Sequence, residues 1–234
     1  MKILGIDTTT KFLCLGIYDD NKVYEYNLEV GRRLSVLLVQ TIKRVLDTLG
    51  WQVSDIDYFA CGLGPGSFTG IRVGLATIKG LSWRKNKPVI GISTLDILAK
   101  NARIDDGLII PIVDAKRNLI YCCNYKAKNG NIKRISPYML LSENELLKKI
   151  KKNAVILGDA LNLYKENILK SKKWVAILDR DYWYPRAHNI IMLALERIKQ
   201  KKFTSPFNIQ PIYLYPKECQ IRGFTQIKSA DIRG

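Results

Sequence analysis

Histidine is almost missing from this 234-residue chain, with His188 as the one copy. A metal site built on two histidines is thereby excluded. His188 follows Pro185-Arg186 on a helical stretch and reads as a surface or capping residue. A nucleophilic pair of His188 with Cys61 has no local motif behind it. Cysteine is sparse and unpatterned: Cys14, Cys61, Cys122, Cys123 and Cys219 are an odd number without a C-x-x-C. Four of them sit in apolar runs, which fits buried free thiols in a reducing, cytoplasmic setting. No apolar run nears the roughly 20 residues that span a bilayer. Asp7 also interrupts the first apolar run too early for a signal peptide, so no membrane role is expected. Acidic residues are scarce, 21 against 38 Lys and Arg, for a net charge of +17. Residues 1–103 carry +5 of this and residues 104–234 carry +12. A basic second half attracts phosphate-rich partners over long range. A lysine-rich proteome leaves the same excess without a purpose. Glycine thins out as well, with 5 of 16 copies beyond Gly91 and none of those near another. The second half therefore lacks a glycine-rich loop where backbone could approach phosphate.

What is present is concentrated in one string, Cys61-Gly62-Leu63-Gly64-Pro65-Gly66-Ser67-Phe68-Thr69-Gly70-Ile71-Arg72-Val73-Gly74. It follows a short apolar run that reads as a buried strand, and it opens a helix. Glycines at alternate positions allow a sharp turn and a close backbone approach. Ser67 or Thr69 can cap the helix. The same arrangement is either a structural turn or an anion site, because a helix N-terminus presents free N–H groups. A Walker loop is excluded by Thr69-Gly70-Ile71, and a dinucleotide fingerprint by the lack of an acid in residues 81–87.

Residues 2–7, 12–18 and 23–30 read as three strands, 34–49 as a helix, 58–63 as a strand, 68–85 as a helix and 88–92 as a strand. The second half repeats the order, with strands at 108–114, 119–126 and 132–140. A capping-box helix then begins at Ser142, a strand covers 154–157, and a further helix starts at Asp159 or Ala160. Residues 187–202 are helical by period. Both first strands end in an aspartate, Asp7 and Asp114. Two β-β-β-α-β-α units are the plan of the actin-like, sugar-kinase and Hsp70-like ATPase fold (ribonuclease-H-like). The expectation is a duplicated α/β protein with lobes at 1–103 and 104–216 and a polar tail at 217–234.

On the first helix, Leu34, Leu38, Ile42, Val45 and Leu49 form one core stripe. Val36 and Val39 fall well off it, beside Lys43. On the second helix Gly70 and Gly74 stand one turn apart, continued by Thr77 and Leu81. Each interior glycine costs roughly 0.5–1 kcal/mol relative to alanine, so close packing should offset it. The packed neighbour is either the chain's own sheet or a second chain.

The glycine string, Ile3-Leu4-Gly5-Ile6-Asp7-Thr8-Thr9, Ile92-Ser93-Thr94-Leu95, Val113-Asp114-Ala115-Lys116-Arg117 and Pro211-Ile212-Tyr213-Leu214 together resemble the TsaB (YeaZ) family of tRNA threonylcarbamoyladenosine biosynthesis proteins. The resemblance implies the ATPase fold and a non-catalytic scaffold subunit of the complex that modifies adenosine 37 of tRNA. It implies pairing with the homologous catalytic subunit TsaD, docking of the ATPase TsaE, and self-association when alone. The implied partner surface holds Arg33, Leu34, Val36, Leu37, Val39, Gln40 and Lys43 on the first helix. On the second helix, over Gly70–Trp83, it holds Gly70, Val73, Gly74, Thr77 and Leu81. No cofactor is required by this chain, with ATP or ADP expected only at the subunit interface. The anion or nucleotide candidates are Asp7, Thr8, Thr9, Gly64, Gly66, Ser67 and Thr69, because this fold usually holds phosphate and Mg²⁺ at the first strand end. No catalytic residue and no metal ligand is assigned, and the two-histidine site of the catalytic paralogue is absent. The family's His-Ser reads Leu34-Ser35, its Asp-Ala-Arg reads Asp114-Ala115-Lys116, and its Tyr-Leu-Arg reads Tyr213-Leu214-Tyr215. The basic second half, Lys148, Lys149, Lys151 and Lys152 above all, is expected to reach tRNA through the complex. An active ATPase or small-molecule kinase of the same fold is the alternative. So is a stand-alone RNA-binding protein, for which Trp174, Tyr182, Trp183 and Tyr184 are the aromatic candidates.

Overall fold

The computed structural model describes residues 1–216; the tail expected at 217–234, with Cys219, lies outside the described residues. Apolar runs at the N-terminus form β1 (Lys2–Asp7), β2 (Phe12–Asp19) and the edge strand β3 (Lys22–Glu29). Then come α1 (Leu34–Thr48), β4 (Tyr58–Gly62), α2 (Phe68–Trp83) and β5 (Val89–Ile92). The sheet order is β3-β2-β1-β4-β5, with β2 antiparallel to both its neighbours and β1, β4 and β5 parallel. β1 and β2 are apolar on both faces because both faces are covered. On one face Leu38, Ile42 and Leu46 of α1 and Leu75 and Ile78 of α2 pack on Leu4, Ile6, Leu13 and Leu15.

The second half contains β6 (Gly107–Lys116), β7 (Leu119–Cys122), β8 (Tyr125–Lys128), β9 (Asn131–Arg134) and β10 (Met139–Ser142). Its order is β10-β7-β6-β11-β12, completed by β11 (Ala154–Leu157) and β12 (Ala176–Ile177). Between them run α4 (Glu143–Lys149) and α5 (Leu161–Ser171), and α4 opens with the expected Ser142–Glu145 capping box. The runs expected as single strands at 119–126 and 132–140 are each broken. β7 pairs with the far end of β6 and β8 with its start, while β10 and β9 pair with β7 and β8. At the break the Asn124 N–H turns to the Ser136 hydroxyl at 2.9 Å, and Pro137 has no N–H for a ladder. Joined end to end, β7–β8 and β9–β10 fill the places of β2 and β3, so both sheets share one topology.

Two helices leave their own lobes. α3 (Thr94–Ala99), six residues that the sequence pattern does not separate from β5, puts Leu95, Leu98 and Ala99 into the core of the second lobe. α6 (Ala187–Lys199) crosses the other way and covers the free face of the first sheet, with Ile190, Ile191 and Ala194 on Ile3, Cys14, Ala60 and Ile90. Asp96 of α3 ties the exchange together. Its carboxylate accepts from Arg197 of α6 at 2.9 Å, from the Tyr125 hydroxyl at 2.7 Å and from the Tyr138 hydroxyl at 3.0 Å.

Candidate functional site

The β1–β2 turn is where an ATPase of this topology would meet phosphate, and here it is sealed by the chain itself. Asp7, Thr8 and Thr9 are all buried. The Thr9 N–H and hydroxyl both donate to Asp7 Oδ1, at 2.9 and 2.8 Å. Asp7 Oδ2 is buried without a hydrogen-bond partner and stands over Gly62, where a Cβ would come within 2.0 Å of it. Burial raises the Asp7 carboxyl from its ordinary 3.8 to about 6, against the lowering effect of the two Thr9 bonds.

The glycine loop supplies the seal. The Ser67 N–H donates to the Thr9 carbonyl at 2.7 Å, and the Thr8 hydroxyl donates to the Gly70 carbonyl at 2.7 Å. A Cβ on Gly70 would stand 2.0 Å from the Thr8 carbonyl oxygen, and one on Gly74 2.2 Å from the Thr8 hydroxyl. Ser67 is the cap of α2, accepting the Gly70 N–H at 3.2 Å. The loop's glycines thus serve close packing on Thr8 and Thr9. The Ser67 and Gly70 N–H groups are already taken by protein, while Thr9, Gly66, Ser67 and Thr69 keep one side on the interlobe cleft.

Between the lobes lies a cleft of about 1360 Å³. Its walls bring together Lys11, Ser67, Phe68 and Thr69 with Asp114, Lys116, Arg117, Asp159 and Arg180. Asp7 and Gly64 do not line it. Asp114 has no glycine beside it, yet Lys116, Arg117 and Asn118 all hold positive φ, at 64°, 52° and 58°. This tight turn folds Lys116 back, so that its N–H donates to Asp114 Oδ1 at 2.8 Å while its ammonium pairs with Oδ2. The backbone N–H of Asp114 donates to Asp159 Oδ1 at 2.9 Å. Asp159, raised by burial from 3.8 to about 6, stands out in the sequence only as a helix start. A strap at 209–215 closes one side. The Ile212 N–H donates to the Leu63 carbonyl at 2.9 Å, Arg72 Nε to the Tyr213 hydroxyl at 3.2 Å, and the Tyr215 hydroxyl to the Ala115 carbonyl at 2.9 Å. The position where the family carries arginine is therefore a link to the second lobe. ATP with Mg²⁺ does not match this donor set. Asp7 is closed off behind backbone, Asp114 is neutralised by its own lysine, and Asp159 is taken up by the Asp114 N–H.

The expected partner surface divides. Val36 and Val39 stand 62% and 56% exposed on α1, alongside exposed Arg33, Gln40 and Lys43. Leu37, Val73, Thr77 and Leu81 are half-buried. Leu34, Gly70 and Gly74 are buried within their own lobe, Leu34 in the core cluster and the glycines against Thr8. Cys61 and His188 are not paired. The Cys61 thiol donates to the Gly62 carbonyl, and the His188 N–H at the start of α6 donates to Glu25. Among the described residues no group of His, Cys, Asp and Glu could hold a metal ion, and no helix is long and apolar enough to cross a membrane.

Two lobes on one 3-2-1-4-5 plan, with a cleft between them and the first strand end beside a glycine loop, define a protein of the actin-like ATPase fold. The family described as "TsaD: tRNA N6-adenosine threonylcarbamoyltransferase" matches residues 28–215. The chain is 30% identical over 229 residues to the tRNA threonylcarbamoyladenosine biosynthesis protein TsaB of Bacillus subtilis (strain 168), covering 95% of this chain and 97% of that protein. It is 25% identical over 223 residues to TsaB of Escherichia coli (strain K12), covering 92% and 94%. Among solved structures, YeaZ from Pseudomonas aeruginosa superposes with a TM-score of 0.80 at 22% identity, over 91% of this chain and 99% of that one. The chain belongs to the TsaB (YeaZ) family, within the wider family whose pattern spans residues 28–215.

Proposed function

We propose that this chain is a non-catalytic, cytoplasmic scaffold subunit in the biosynthesis of threonylcarbamoyladenosine in tRNA. It pairs with a TsaD-type catalytic paralogue through the exposed faces of α1 and α2, supports docking of the ATPase TsaE, and forms a homodimer when alone. It needs no cofactor of its own; any ATP or ADP sits at the subunit junction, and tRNA is met through the assembly. The observation that carries the reading is the sealed turn. Asp7 keeps its place at the strand end, but Gly62, Thr9 and the α2 loop leave it no access to a ligand. A fold that keeps its architecture and closes its phosphate turn retains a surface to offer, and Val36 and Val39 are the apolar side chains it leaves uncovered on α1.

The test is to mix the pure chain with TsaD from the same organism and measure mass by light scattering after size exclusion. A one-to-one complex replacing any homodimer supports the scaffold. Two separate species, even with nucleotide and TsaE added, refute it. ATP turnover by the pure chain that Asp7→Ala abolishes would favour the ATPase reading instead.

A further inference from the structure

The edge of β5 gathers exposed aromatic rings and cations, most of them outside α1 and α2. Trp83, at the end of α2, is 65% exposed. Its ring contact is Phe207, itself 60% exposed, edge-on at 6.2 Å between centroids. Four residues earlier Phe203, 42% exposed, packs edge-on against Tyr58 at 5.6 Å. Between the two phenylalanines in sequence, Thr204 bridges to Val89, bonding in both directions and extending the sheet past its last strand. Trp83 stands apart from the stripe of Val73, Thr77 and Leu81. Phe68 and Arg72 meet Tyr213 of the strap, and Trp83 meets Phe207 just before it.

Cations flank both pairs. Arg84, Lys85 and Lys87 follow Trp83; Lys199, Lys201 and Lys202 precede Phe203; and all but the half-buried Lys87 are exposed. No Asp or Glu occurs at 58–95 or at 197–216. Of the nearest carboxylates, Glu196 pairs with Lys100 and Asp57 accepts the Lys2 N–H. Large rings left in water amid cations, with no acid between, match a ligand that supplies flat apolar faces and negative charge together. Unpaired bases on a phosphate backbone do so. A duplex offers the phosphate but keeps its bases stacked.

We propose that the β5 edge, residues 83–87 and 199–207, binds a single-stranded stretch of RNA, with Trp83–Phe207 and Phe203–Tyr58 as stacking platforms. This goes beyond the scaffold reading and takes from it only that the nucleic acid is RNA.

The test uses the full chain and a fluorescent single-stranded RNA oligonucleotide, with a blunt RNA duplex of equal length as comparison, read by anisotropy across a salt series. The single strand is expected to bind more tightly than the duplex. Trp83→Ala with Phe207→Ala should weaken it roughly tenfold or more, and Trp83→Tyr should restore most of the loss. Changing Lys85, Lys201 and Lys202 to Gln should flatten the log–log salt slope by about 2, at ~0.7 per phosphate contact. The same change at Lys22, exposed on β3 at the opposite edge of the sheet, should leave binding unchanged. These rings are exposed, so the variants should keep the wild-type melting temperature. Equal binding by folded Trp83→Ala/Phe207→Ala, equal affinity for duplex, or no binding by wild type at low salt overturns the proposal. Light scattering with TsaD is read separately, so the scaffold can stand or fall independently of this site.

Discussion

Thr8 and Gly70 are fitted to one another: the threonine hydroxyl donates to the glycine carbonyl at 2.7 Å, and the threonine carbonyl occupies the space of the missing Cβ. A methyl group there meets backbone, which cannot swing aside. Gly70→Ala should therefore cost about 3 kcal/mol despite the better helix propensity of alanine. Gly80, in the same helix, has open space where its Cβ would stand, so Gly80→Ala should gain roughly 0.5–1 kcal/mol. Urea unfolding of the pair is the check, and a neutral Gly70→Ala would mean that the loop is not seated on the turn.

Asp7 should make stability depend on pH in an unusual direction. Its folded carboxyl holds a proton to about pH 6, whereas the unfolded one releases it near 3.8. Between those values the folded state binds the extra proton, so this group's contribution falls as pH rises from about 4 to about 6. At about 1.4 kcal/mol per tenfold change in proton affinity, the charged form costs on the order of 3 kcal/mol. Asp7→Asn should melt higher than wild type at pH 8, with the gap shrinking towards pH 5. A constant gap across that range would place the cost elsewhere.

Val36→Asp with Val39→Asp should abolish mass gain with the TsaD-type partner in light scattering. Both side chains are more than half exposed, so the melting temperature should stay within the reach of ordinary surface changes, about ±0.5 kcal/mol. Retention of every association in the double variant would move the partner surface away from α1.

Asp96 serves three donors from two other elements and a loop, so Asp96→Ala leaves Arg197, Tyr125 and Tyr138 without their shared acceptor. A loss of about 3 kcal/mol is expected in denaturant unfolding. Lys100→Ala breaks a more exposed pair with Glu196 and should cost under about 1 kcal/mol.

Local pattern made much of the first lobe legible. Apolar runs at β1 and β2 read as strands, the core stripe from Leu34 to Leu49 marks the first helix, and Ser67 is one of the two candidate caps of the second. What pattern could not reach was the destination of each surface. The glycines of α2 show the need for a close neighbour, but Thr8 lies 62 residues away from Gly70. The break in β7–β8 depends on Ser136 reaching Asn124, which periodicity does not register. α3 is a single capped stretch too short to show a helical stripe. Of the aromatic candidates, Trp183 proves buried, its N–H on the Leu178 carbonyl, whereas Trp83 and Phe207 meet only because the chain returns to β5.

The exchange of α3 and α6 sets an order on synthesis. The first sheet is complete in sequence by Ile92, but one of its faces stays bare until Ala187–Lys199 has been made. Ile3, Ile90 and Ile92 must then wait through the whole second lobe for their cover. The halves cannot mature in turn on the ribosome, and a fragment ending near residue 103 would carry an open, sticky sheet rather than a finished lobe.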